Sequence, residues 1–81
     1  MIRFITNKST YLDRTADGKQ LVRAELVCDT CAELAGVTEL EGAALSFGTL
    51  ALAVRDGEVC ALDSEGIWHK QSDGSEVAAD G

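Results

Sequence analysis

Three cysteines and one histidine are the residues with the widest chemical range in this 81-residue chain. Cys28-Asp29-Thr30-Cys31 is a CxxC, and with Cys60 and His69 it offers three thiolates and one imidazole, the donor set of a tetrahedral structural zinc site. The spacing argues against that site: Cys60 and His69 stand nine residues apart where such sites usually place the second pair a few residues apart, and no glycine follows Cys31 to form a knuckle. A CxxC also serves as a redox pair when its first thiol lies at a helix start. Here the βαβ surroundings of such motifs are missing, and Asp29 opposes thiolate formation. The plainer account packs Cys28 and Cys60 in the core as small hydrophobes.

His69 would have to serve any Ser-His-Asp or Cys-His site, and such a site needs a pocket. Four aromatic residues, Phe4, Tyr11, Phe47 and Trp68, give a chain this short little material for one. Asp63 and Glu65 flank a turn without the ligand pattern of an EF-hand, and neither GxGxxG nor GxxxxGK[ST] occurs. The expectation is a protein that is not an enzyme and has no cofactor, with a zinc-stabilised binding module using Cys28, Cys31, Cys60 and His69 as the alternative.

The elements that must position these residues read as β-structure. Asp17-Gly18 and Asp56-Gly57 each lie between alternating apolar runs, the short-range signature of a hairpin. Residues 10–15 precede the first turn. After it, 21–28 alternate, with Val22, Ala24, Leu26 and Cys28 on one face and Arg23 and Glu25 on the other. Around the second turn, 47–54 should pair with 58–62, with Leu50, Leu52 and Val54 on one face and Arg55 and Glu58 as an opposite-charge pair flanking the turn. Asp63-Ser64-Glu65-Gly66 turns the chain again into Ile67-Trp68-His69-Lys70, completing a meander over about 47–71. Between these halves, Thr30-Cys31-Ala32-Glu33 matches the capping box of a helix start, and Gly36 ends a helix of a turn or two. Residues 38–44 fit neither period and read as a connecting loop.

The fold class expected is therefore mainly β: two hairpins forming a small antiparallel sheet or meander with one short helix. Residues 1–71 form a single β-rich domain, and the small, acidic residues 72–81 form a disordered tail. At 8.6 kDa the chain can hold one core. A domain of this size buries only about 60% of its unfolded surface, so association would help it. The formal net charge is −7, which opposes sequence-independent binding to nucleic acid or an anionic membrane. Residues 1–27 carry net +2 and residues 28–81 net −9, a split whose plainer account is a solvated acidic surface and whose alternative is head-to-tail contact between copies. No apolar run reaches membrane-span length, and residues 1–6 lack the marks of a signal peptide. The odd cysteine count fits reduced thiols in a cytoplasm.

Gly48-Thr49-Leu50-Ala51 through Asp56-Gly57 to Asp63-Ser64-Glu65-Gly66-Ile67-Trp68 resembles a β-meander of small structural and fibre-associated proteins of tailed bacteriophages and prophages, whose pattern is a G-[ST]-x-A strand, a glycine turn, and a D-x-x-G-x-W turn and strand. Cys31-Ala32-Glu33-Leu34 is similar to the A-x-L element that precedes it. The resemblance covers about half of the chain; Cys60 stands where an aromatic is expected, and residues 1–27 lie outside the pattern. It implies a non-enzymatic virion component of the head or tail-fibre region, located in the bacterial cytoplasm or the virion. Its partner would be a copy of itself or another virion protein. Tyr11 and Trp68 are the candidate contact aromatics, with Arg14 and Arg23 as the basic complement to an acidic partner. Trp68 has two roles open to it, covering the core or meeting a partner; a small sheet's need for one bulky cover favours the first.

Overall fold

Two stretches of chain, 20–28 and 43–53, organise the molecule. The computed structural model describes residues 1–5 and 10–78, with the side chains of 10–14 excepted. Within them lie β1 (Ile2–Phe4), β2 (Thr10–Arg14), β3 (Gln20–Arg23), β4 (Glu25–Cys28), a 3₁₀ turn (Cys31–Leu34), β5 (Glu39–Leu40), β6 (Ala43–Leu45), β7 (Leu50–Ala53), β8 (Glu58–Leu62) and β9 (Trp68–Lys70). They form a five-stranded sheet in the order β1-β4-β7-β8-β9 and a four-stranded sheet in the order β2-β3-β6-β5. The fold is mainly β.

The alternation in 21–28 is present as read: Val22, Ala24, Leu26 and Cys28 are buried while Glu25 is exposed. The run is nevertheless two strands, since the chain leaves one sheet and joins the other at Ala24. The stretch 43–53 makes the same change of sheet, so β3 runs parallel to β6 and β4 parallel to β7. Strands that pass from sheet to sheet make corners, and a corner interrupts the backbone ladder. Here the interruption is bridged: Ser46 N–H donates to Val22 carbonyl at 2.8 Å and Leu50 N–H to Ala24 carbonyl at 3.1 Å. The fully buried Thr49 hydroxyl accepts Ala24 N–H at 3.3 Å, replacing the strand partner that residue lacks.

The two hairpin turns appear where expected, with β2 antiparallel to β3 and β7 antiparallel to β8, and β9 completes the meander. The parallel pairings were not expected; they join segments about twenty-five residues apart, beyond the reach of turn signals. The expected loop over 38–44 is instead a further hairpin, β5–β6, around Glu41 at φ 50° and Gly42 at φ 86°. Two successive positive φ values suit a two-residue turn, but Glu41 is an unusual occupant and hides the signal. The helix is a single 3₁₀ turn. Its expected cap forms through Glu33, whose carboxylate accepts Thr30 N–H at 2.9 Å and Asp29 N–H at 2.8 Å.

The expected Arg55–Glu58 pair is replaced. Glu58 accepts the Ser72 hydroxyl at 2.6 Å, because the chain past Lys70 folds back along β9. Lys70 N–H donates to Ser75 carbonyl at 2.8 Å, His69 bridges to Glu76, and Val77 N–H donates to Trp68 carbonyl at 2.9 Å. Val77 is buried in the core, so the domain extends beyond 71 and includes residues expected in a disordered tail; residues 79–81 lie outside the described ones. No helix among the described residues is long and apolar enough to cross a membrane.

One core serves both sheets, joining Val22 and Leu45 of the smaller sheet to Leu26, Leu62 and Trp68 of the larger. The same core holds the small side chains Ala24, Ala51, Ala53 and Cys60 together with Trp68, the largest fully buried residue. At Gly66, φ is 83°, a left-handed conformation that L side chains rarely adopt, so the turn into β9 favours glycine on backbone grounds.

Candidate functional site

The 3₁₀ turn and β8 bring two of the three thiols into contact. Cys31 opens the turn and Cys60 points inward from mid-β8, their sulfurs 3.5 Å apart. The Asp56 carboxylate, on the β7–β8 turn, accepts Cys31 N–H at 2.8 Å and also lies against the Cys31 thiol. These contacts, the N–H first, hold Asp56 below the ordinary carboxylate range. Cys28, the other half of the CxxC, has a different partner, its thiol donating to Thr30 carbonyl at 3.3 Å. Burial raises the pKa of all three thiols, that of Cys60 to about 12. At neutral pH they are protonated and behave as small apolar side chains.

His69 does not join them. In the β8–β9 ladder Cys60 pairs with Lys70 and Ala61 with His69, so strand alternation places Cys60 and His69 on opposite faces of the sheet. The four candidate zinc ligands are therefore not assembled, and among the described residues no group of three His, Cys, Asp or Glu side chains is placed to hold a metal ion. The reason is register, which residue spacing along the chain does not reveal.

The imidazole has its own arrangement. Nδ1 faces Gly74 carbonyl at 3.0 Å and Nε2 faces Asp63 Oδ2 at 2.7 Å. Both neighbours are acceptors, so the ring satisfies both only as the doubly protonated imidazolium. Gly74 first and Asp63 second raise the His69 pKa. Asp63 is held low chiefly by Ile67 N–H, with His69 next, and its Oδ1 also accepts Glu65 N–H at 2.8 Å. A ring bound on both sides to fixed acceptors is a structural clasp and has no free nitrogen to act as a base.

Of the candidate contact residues, Trp68 is only 1% exposed and donates its indole N–H to Val37 carbonyl at 2.8 Å. It covers the core, and the reading of Trp68 as a partner contact is corrected accordingly. Arg23 is half-buried beside Gly48. Tyr11 and Arg14 lie on β2, and their side chains fall outside the described residues.

The surface with a distinctive composition was not identified as a site from the sequence. On the outer side of the five-stranded sheet, one row across the strands reads Arg3, Val27, Leu52, Val59, and the next reads Glu25, Leu50, Ala61, His69. Ile5 adjoins the second row, its N–H donating to Glu25 carbonyl at 2.9 Å. Val54, following β7, extends the apolar surface at 60% exposure, with Leu52 at 43% and Val59 at 40%. Leu50, Leu52 and Val54 share one face as the alternation implies, and that face points away from the core. Arg3, Glu25 and the Asp63-bound His69 are the charged groups of these rows, so the face is close to neutral on a chain of net charge −7. The signal that could have found it is the pairing of alanines with larger apolar residues along 50–54, which makes either face eligible for burial.

No protein-family model matches the chain, and neither a curated protein nor a solved structure shows significant similarity to it.

Proposed function

We propose that this chain is a non-enzymatic structural protein of phage or prophage origin that works by self-association through the outer face of its five-stranded sheet. One observation carries the reading: a contiguous apolar surface of Ile5, Val27, Leu50, Leu52, Val54 and Val59 spans four neighbouring segments of the sheet and is nearly free of net charge. Scattered exposed apolar residues are ordinary on a small protein, but a continuous patch marks an interface.

The occupant is a second copy of the chain. Two anionic copies repel wherever their carboxylates meet, and this face is where they approach with least repulsion. Across a two-fold axis a patch meets itself, so Arg3 of each copy has the Glu25 of the other as a complement at the rim. The phage assignment has a separate support, the resemblance of 48–68 to the virion meander, and the location that goes with it is the bacterial cytoplasm or the virion.

Sedimentation velocity over a range of concentrations tests the reading. The wild type is expected to self-associate, and Leu52→Glu, which adds a like charge to both sides of the contact, to shift the population to monomer while keeping the melting temperature within a few degrees. Phe47→Ser, at an exposed site away from these rows, should leave the association unchanged. A wild type that stays monomeric throughout, or a Leu52→Glu variant that associates equally well, would overturn it.

A further inference from the structure

We propose that Cys31 and Cys60 form a dithiol that a low-molecular-weight disulfide, such as glutathione disulfide, oxidises to a bond joining the 3₁₀ turn to β8. The inference is independent of self-association and rests on a different part of the molecule.

Three features of the geometry point to it. The sulfurs are already in contact at 3.5 Å, and closing to the roughly 2.05 Å of a disulfide asks for about 1.5 Å of movement, within the scope of side-chain rotation. The two thiols are also unequal in access. Cys31 is 4% exposed and lines a pocket of about 280 Å³ whose walls include Asp56, Lys70 and Glu76, whereas Cys60 is fully buried behind it. Finally, Lys70 pairs with Cys60 across β8–β9 and so stands on the same side of the sheet, supplying a cation at the pocket for a thiolate or for the carboxylates of an incoming glutathione.

These positions fix the order of events. The Cys31 sulfur attacks one sulfur of glutathione disulfide; the S–S bond of the reagent breaks, and the departing glutathione thiolate takes up the proton Cys31 gives up. Cys60 then attacks the Cys31 sulfur of the mixed disulfide, breaking its bond to the second glutathione, which leaves as a thiol with the Cys60 proton. Two protein thiols are oxidised and one small disulfide is reduced to two thiols. Cys28 takes no part, being held by Thr30 carbonyl. Burial makes both steps slow, since the thiolate is the attacking form.

The test uses the full chain carrying Cys28→Ala, which leaves two thiols, incubated folded with glutathione disulfide and followed by intact mass and peptide mapping. The expected product has lost two hydrogens, carries no glutathione, contains a Cys31–Cys60 cross-linked peptide and reverts with dithiothreitol. Closing a loop of this length should raise its melting temperature by roughly 10 °C. Cys60→Ala should instead accumulate glutathione on Cys31. Retention of both thiols by the folded protein, or glutathione on each without a cross-link, would overturn the proposal. Should Cys28→Ala not fold, peptide mapping of the oxidised wild type decides: a 31–60 link supports it, and a 28–31 link or no link refutes it.

Discussion

The two faces of β7 invert the usual distribution of side-chain size. Inward lie Ala51 and Ala53, at 1% and 0% exposure; outward lie Leu50, Leu52 and Val54. An isolated domain would gain more by burying the larger residues, at about 25 cal/mol per Å² of apolar surface. Trp68, Leu26 and Leu34 are fully buried in the same core as Ala51 and Ala53, and in a close-packed interior large side chains are matched by small ones. The inner face of β7 is fully buried with small side chains, whereas its outer face has apolar surface still to bury.

The largest expected effect comes from emptying the inner side. Trp68→Ala removes the chief core side chain and orphans Val37 carbonyl, and should cost about 3 to 5 kcal/mol, enough to leave a domain of this size largely unfolded in near-ultraviolet circular dichroism and urea titration. Overfilling it comes next: Ala51→Leu should cost about 1 to 3 kcal/mol by urea denaturation, while the adjacent Leu52→Ala should cost well under 1 kcal/mol in the monomer. Equal costs at the two positions would show that the two faces of β7 do not differ in how tightly they are packed.

The smallest effect concerns His69, at the margin of the outer face. Its folded pKa is raised, so its stabilising contribution is fully present below the unfolded value near 6.5 and is lost as pH rises through the folded pKa. Asp63 has a lowered pKa, so its contribution is present above about 3.9 and is lost as pH falls through its folded value. The melting temperature of the wild type relative to His69→Gln should therefore be greatest in mildly acidic buffer, decline on the alkaline side, and fall again in strong acid. A constant difference from pH 5 to 9 would show that the clasp contributes nothing.

Much of the fold was legible because much of it is local. Asp17-Gly18 and Asp56-Gly57 marked their hairpins, the alternation of 21–28 identified its buried face, and Glu33 identified the cap. What escaped has a common cause. The parallel β3–β6 and β4–β7 pairings, the return of Val77 to the core and the Cys31–Cys60 contact all join residues distant along the chain. The candidate site was less legible still. CxxC spacing suggested Cys28 as the partner of Cys31, and only the register of β8 shows that Cys60 faces Cys31 while His69 faces away. Trp68 was rightly singled out as important, but a strand sequence alone does not say which of its sides will be covered.

The passage of 20–28 and of 43–53 through both sheets also bears on how the molecule comes together. The first long stretch finds its parallel neighbour only after the chain as far as Ala53 is available, and the intervening 3₁₀ turn and β5–β6 hairpin must then lie on the correct side. Local hairpins can form early, but the corner held by Thr49 closes across a long loop, and that loss of chain entropy falls before the core repays it. Neither sheet can be peeled away while the other stays whole, because each contains half of the same two stretches. The domain should accordingly gain and lose its structure as a single unit, with its slowest step at the corner where the two sheets exchange strands.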